Sequence, residues 1–261
     1  MNRLVALLLL LLLLYFLLGS LADEEDVLCL QGIKVSLDDP DGRLSWNSNN
    51  ATASVICHFV GVTCTNSTDN HVITLSLPSM SLAGTIPRAL KFCHSTTTLD
   101  LSGNSLSGTI PHDFCDWFHD LTILNLSGNN FTGPIPPELS NCRFLHYLDL
   151  ASNSLSGQIP ASLSRLDSLK LLNLSHNRLS GEIPRSLASS FPSPAVFESN
   201  AGLCGRPLTS RCDSNSINRS DLSMLIAIGV FGLASSLLII YAVWRFCLVP
   251  DSSKRAKGGN F

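Results

Sequence analysis

Charge is scarce in this chain. Only 14% of its 261 residues are Asp, Glu, Lys or Arg, and the formal balance is −3. No basic stripe runs through it, which excludes nucleic acid as a partner and leaves no strong field to steer a ligand. Catalytic signatures are missing as well. None of the seven histidines (His58, His71, His94, His112, His119, His146 and His176) stands in H-E-x-x-H or another metal spacing, and there is no G-x-S-x-G elbow. No histidine spacing converges with the cysteines, so neither a metal centre nor a catalytic thiol is expected. Gly258-Gly259 lacks the strand–helix setting of a phosphate loop. The sequence therefore reads as a non-enzyme that needs no cofactor.

Two apolar runs are present. The first extends from Leu4 to Leu18 after a single Arg3, and Ser20-Leu21-Ala22 then precede an acidic cluster. This is the order of a secretory signal peptide cleaved after Ala22, residues 1–22. The second, Met224–Trp244, has 21 residues without a charge. At 1.5 Å per residue it is long enough for a hydrocarbon core of about 30 Å. Arg245, Lys254, Arg255 and Lys257 follow it against one acid, Asp251. The positive-inside bias predicts a single-pass type I protein of the plasma membrane, with residues 23–223 outside and a short basic tail, 245–261, inside. Gly232 and Ser236 form a small-xxx-small face suited to weak helix association in the membrane. Cys247, beside the membrane, is expected to be a free residue.

The outside region repeats itself. "LSGNSLSGTIP" at 101–111 returns as "LASNSLSGQIP" at 150–160. Aligned on Gly-x-Ile-Pro, the copies begin at Gly84, Gly108, Gly133, Gly157 and Gly181, with steps of 24, 25, 24 and 24 residues. Ahead of each stands the same apolar frame, from Leu75/Leu77/Leu82 to Leu172/Leu174/Leu179. Low complexity without a fold does not hold such a register through five copies. The predicted fold is an α/β solenoid, a short leucine-rich-repeat arc. Alternate leucines point inward from a strand, while Leu90, Phe114, Leu139, Leu163 and Leu187 close the back of each coil. Asn104, Asn129, Asn153 and Asn177 recur where the chain must turn, and an inward amide there can bond backbone groups left unpaired. Met80 replaces the first of them, so this asparagine ladder is expected to start one coil late.

The expected organisation is an N-terminal cap at 23–70, five repeats at 71–190, a C-terminal cap at 191–212, a polar linker at 213–223 and the membrane helix at 224–244. In the first cap, Leu28, Leu30, Ile33, Val35 and Leu37 form a helical apolar pattern, and Trp46 and Phe59 are expected to bury against the first coil. Eight of the nine cysteines lie outside the membrane, where pairing is favoured. Cys57–Cys64 and Cys204–Cys212 are predicted staples of the two caps. Cys93 and Cys142 share one repeat phase two coils apart, too distant to bond. Either Cys93 meets Cys115, or Cys29, Cys93, Cys115 and Cys142 are buried thiols. Six N-x-[ST] sequons mark candidate glycosylation sites at Asn50, Asn66, Asn125, Asn130, Asn173 and Asn218.

Surface is what remains for function. Most outward strand positions are small and polar, but Ile123, Tyr147 and Leu171 share one phase in three successive coils. That row is a candidate protein-binding strip, with His146, Lys170 and Arg178 as its polar rim. Glycans on Asn125 and Asn173 would restrict access to it.

The wording of the caps carries a resemblance beyond the repeat frame. "DVLCLQGIKVSLDDPDGRL", "SWN", "ICHFVGVTC", "LPSMSLAGTIP", "LSRLDSLKLLNL" and "NAGLCGRPL" together resemble the inactive plant leucine-rich-repeat receptor-like kinases that associate with SERK co-receptors. The resemblance covers roughly residues 23–248 and includes Cys29, Cys93, Cys115 and Cys142. It implies an ectodomain that binds SERK-type or other leucine-rich-repeat receptor ectodomains and holds the co-receptor away from ligand-binding receptors. A pseudokinase follows the membrane helix in that family. This sequence ends at Phe261, and the expectation is a kinase-less membrane receptor-like protein that modulates cell-surface signalling as a negative regulator. The alternatives are direct recognition of a peptide or microbial protein in defence, or a non-functional fragment of a larger receptor.

Overall fold

The computed structural model describes residues 25–47, 52–65 and 71–212. The chain divides into two compact units, Met1–Cys212 and Asp213–Phe261, and all described residues belong to the first. The expected leader, linker, membrane span with Gly232 and Ser236, and basic tail lie outside the described residues, as do Asn50, Asn66 and Asn218. Among the described residues no helix is long and apolar enough to cross a membrane.

Each of the five repeats contributes one strand to each of two sheets, and each cap adds one strand more. The first sheet contains β1 (Val62–Cys64), β2 (Val72–Ser76), β4 (Thr98–Asp100), β6 (Ile123–Asn125), β8 (Tyr147–Asp149) and β10 (Leu171–Asn173), side by side in that order. All neighbours are parallel except the β1–β2 pair of the N-terminal cap. The second sheet runs β3 (Ala83–Thr85), β5 (Ser105–Gly108), β7 (Asn130–Pro134), β9 (Ser154–Gly157), β11 (Arg178–Glu182) and β12 (Gly202–Cys204). Between the sheets lie the alternating leucines. Leu75, Leu99, Leu124, Leu148, Leu106 and Phe131 have no solvent exposure, and Leu90, Phe114, Leu139, Leu163 and Leu187 close the coils at 1% or less. No coil could hide these faces alone, so stacking supplies the fold's burial.

The two sheets are separated by a tight left-handed turn. The residue before each ladder position has positive φ: Ser79, Gly103, Gly128, Ser152, His176 and Ser199 all lie between 54° and 64°. A chain turning this sharply leaves carbonyls and amides pointing inward without partners. Asn129 meets this need with four bonds. Its Oδ1 accepts the Leu106 N–H (3.0 Å), and its Nδ2 donates to the carbonyls of Leu101, Leu126 and Ser127 (2.9–3.2 Å). Asn104, Asn153 and Asn177 repeat the arrangement. At the first coil Met80 offers no amide side chain, and Asn104 Oδ1 accepts the N–H groups of both Met80 and Leu82.

The ladder has a further rung. Asn200 accepts the Leu179 N–H (3.0 Å) and donates to the carbonyls of Leu174, Phe197 and Glu198. The C-terminal cap therefore begins as a sixth coil, and β12 pairs with β11. In "FESNAGL" the signal was present, an apolar residue three before an asparagine, but the step from Asn177 is 23 residues and no Gly-x-Ile-Pro follows.

At the other end, helix α1 (25–36) lays Cys29, Leu30 and Ile33 against the stack, with Leu37 buried just beyond it. Two residues of the expected apolar pattern do not join them. Leu28 and Val35 are 51% and 85% exposed, because at 100° per residue they lie about 140–160° around the helix from Leu30. Asp39 fixes the next turn by accepting the N–H groups of Arg43 and Leu44 and the Lys34 ammonium (2.8–3.1 Å). Burial alone raises its pKa; the Leu44 and Arg43 amides and then Lys34 outweigh that and hold it below the ordinary value. Trp46 is buried, stacks on half-buried Phe59 at 5.6 Å, and donates its ring N–H to the Val60 carbonyl. The short helix α2 (Ala53–Ile56) leads into Cys57.

Four disulfides bind this architecture. Cys57–Cys64 and Cys204–Cys212 staple the caps. The remaining cysteines follow neither of the two expected alternatives. Cys29 on the buried face of α1 bonds Cys93, and Cys115 bonds Cys142 in the following coil. Cys93 is taken by the cap helix, a neighbour that repeat phase alone does not reveal. Cys115 stands one residue after the coil-closing Phe114, while Cys142 stands three after Leu139. Cys93, three after Leu90, has the same offset, so phase does not choose between them; with Cys93 bonded to Cys29, Cys115 meets Cys142, with Cα atoms 5.1 Å apart.

Candidate functional site

The first sheet presents its solvent face as columns set by register. Thr74, Thr98, Ile123, Tyr147 and Leu171 stand opposite one another through β2, β4, β6, β8 and β10. The next column is Ser76, Asp100, Asn125, Asp149 and Asn173. Parallel strands are about 4.8 Å apart, so Ile123, Tyr147 and Leu171 form a strip roughly 10 Å long. Ile123 and Leu171 are 36% and 60% exposed, and Tyr147 between them is half-buried. The register that packs the leucines inward forces these three outward.

Tyr147 does not present a free hydroxyl. It donates to Asp149 Oδ2 at 3.1 Å, two residues along its own strand. Burial, and then the Asp149 charge, this hydrogen bond and the more distant Asp100, push its pKa up to about 12. The ring is thereby pinned toward the second column. Asp149 also accepts the Ala151 N–H at 2.9 Å and the Asn173 side-chain N–H at 3.4 Å.

The sequon residues of this face are engaged locally. Asn125 Oδ1 accepts from the Ser127 amide and hydroxyl, and Asn173 Oδ1 does the same with Ser175. Asn130 is exposed on β7 of the second sheet.

The expected rim does not assemble. His146 and Lys170 precede β8 and β10 at one edge of the first sheet, joined by a Lys170 N–H bond to the His146 carbonyl (2.9 Å). Arg178 opens β11, beyond the left-handed turn and in the other sheet. Chain order places it at the opposite strand end from His146. It is not part of the same edge.

A feature absent from the strip reading lies at its C-terminal end. A groove of ≈ 420 Å³ continues from Tyr147, Asp149, Leu171 and Asn173 onto Val196 and Glu198 of the last coil. These cap residues were hidden from repeat phasing because the last coil departs from the 24-residue step. A larger cavity, ≈ 710 Å³, lies between β11, helix α3 (Arg185–Ser190) and the C-terminal cap, away from the strip. Among the described residues no group of three or more His, Cys, Asp or Glu side chains could hold a metal ion.

The family described as Leucine rich repeat N-terminal domain matches residues 23–65, and leucine rich repeat families match 95–117 and 119–179. In Arabidopsis thaliana, the inactive LRR receptor-like serine/threonine-protein kinase BIR2 is 53% identical over 238 residues, covering 91% of this chain and 39% of that protein. The chain spans about two fifths of the length of the curated relatives it matches. A chain in the crystal structure of the Arabidopsis BIR3–SERK2 complex is 53% identical with a TM-score of 0.69; the match covers 72% of this chain and 100% of that one. The crystal structure of the Arabidopsis BIR2 ectodomain is 47% identical with a TM-score of 0.67, covering 72% and 98% respectively.

Proposed function

Because the chain belongs to the family of inactive leucine-rich-repeat receptor-like kinases that includes BIR2 and BIR3, we propose that its repeat domain is an extracellular docking module for a SERK-type co-receptor ectodomain. It performs no catalysis itself. Occupying the co-receptor keeps it from ligand-binding receptors, which makes the protein a negative regulator of cell-surface signalling. The observation that carries this reading is the complete coverage, at 53% identity, of a chain in the crystal structure of the BIR3–SERK2 complex. Four disulfides support a life in an oxidising, extracellular compartment. Placement at the plasma membrane rests on the leader and the 224–244 run in the sequence.

The contact is assigned to the Ile123–Tyr147–Leu171 strip. Five parallel strands give a short face, better matched to another compact ectodomain than to a long embedded peptide. Tyr147 sits in its middle, where a partner excludes water best, and it loses little side-chain freedom on binding because Asp149 already holds it. Titration with purified SERK2 ectodomain tests the assignment. Tyr147→Ala should weaken binding by about thirtyfold, or ~2 kcal/mol. Its unfolding midpoint should barely move, since no core contact uses that face. His146→Ala should have a small effect. Unchanged affinity in folded Tyr147→Ala, with a loss in His146→Ala, would move the interface to the sheet edge.

A further inference from the structure

We propose that the groove between the strip and the last coil receives an arginine side chain of the partner ectodomain, its guanidinium held between Asp149 and Glu198. This inference rests on the docking role above and names the chemistry that the site selects.

The groove is built from three successive coils: Tyr147 and Asp149 from β8, Leu171 and Asn173 from β10, Val196 and Glu198 from the cap. Among the described residues its charged lining groups are both carboxylates, and no Lys, Arg or His lines it. Among the described residues no cation pairs with either charge. Among the described residues Asp149 is bonded only by neutral donors: the Ala151 amide, the Tyr147 hydroxyl and the Asn173 side-chain amide. Glu198 is exposed, and among the described residues only its backbone carbonyl is bonded, by His176 and Asn200.

The walls define the cation further. Leu171 and Val196 offer apolar surface for an aliphatic stem, and long cationic side chains bury such stems while keeping the head polar. The Tyr147 ring offers a face for a planar cation. Two carboxylates from different coils suit a forked guanidinium with several donors better than the single point charge of lysine. The last coil thus supplies half of a subsite whose other half is the repeat sheet.

The test uses the full chain, produced in plant cells and solubilised in detergent, titrated with purified SERK2 ectodomain. Glu198→Gln and Asp149→Asn should each weaken binding by about tenfold, with a reduced dependence on salt. Glu182→Gln, which removes an acid outside this groove, should leave affinity unchanged. Phenylglyoxal labelling with mass spectrometry should find an arginine of SERK2 protected in the wild-type complex and unprotected with the double variant Asp149→Asn/Glu198→Gln. Wild-type binding with unchanged affinity in Glu198→Gln, or with no protected arginine, would overturn the inference and leave the docking role standing. Failure of the wild-type chain to bind SERK2 would overturn both. Glu198 is exposed and outside the core, so its variant reports even if Asp149→Asn misfolds.

Discussion

Asn129 illustrates how one side chain can decide a turn. Its amide bonds four backbone groups drawn from two coils, and it is buried. Alanine there removes all four partners at once and leaves amide and carbonyl groups facing an apolar interior. Unsatisfied buried groups cost about 1–3 kcal/mol each, with relaxation and entering water recovering part of the sum. Asn129→Ala should therefore lower unfolding free energy by roughly 2–4 kcal/mol. Asn125→Ala, four residues away on the solvent face, should change it by less than about 0.5 kcal/mol. Urea denaturation of the two variants checks the contrast. Similar losses would mean that the ladder is incidental to stability. The outward strip obeys the same logic reversed: Tyr147 is polar enough to bond Asp149 and apolar enough to favour a cover.

At the scale of elements, the repeat period made the leucine frame, the coil-closing residues and most of the ladder legible. Each is a local pattern repeated at fixed spacing, and five copies average away the noise. Features formed between unlike elements were not legible. Cys29–Cys93 joins a helix to a coil, and nothing in the repeat phase says which cysteine a helix will face. Arg178 was expected in one rim with His146 and Lys170, but the left-handed turn before it carries it into the second sheet. Val196 and Glu198 were missed for another reason: they line the groove from a coil whose spacing departs from its neighbours. The long cross-link should also matter most energetically. Cys29 and Cys93 are 64 residues apart, against 7 for Cys57 and Cys64. Loop-closure entropy predicts about 4 kcal/mol for the former and about 2.5 for the latter. Replacing both members of each pair with alanine and measuring urea midpoints should preserve that order. A larger loss for the 57–64 pair would place the stabilisation in native-state packing instead.

For the whole molecule, stacking makes stability a sum of coils and interfaces rather than one indivisible core. Ends should therefore open before the middle, and the cost of opening should depend on the terminal rung. Asn200 is that rung at the C-terminal end. It holds Leu179 through its oxygen and Leu174, Phe197 and Glu198 through its nitrogen. The Leu174 and His176 amides also donate to the Val196 and Glu198 carbonyls, so the last coil keeps the fifth coil's strand end protected. Asn200→Ala should accelerate hydrogen exchange at Leu174, His176, Leu179 and Ile183, while amides of β2, β4 and β6 retain wild-type protection. It should also weaken SERK2 ectodomain binding by about three- to tenfold, although Asn200 does not line the groove, because Val196 and Glu198 would no longer be held on the Leu174 and His176 amides. Uniformly faster exchange from β2 to β12 would contradict this picture and make the solenoid a single cooperative unit. Local exchange at the end with undiminished binding would show that the docking surface stops at β10.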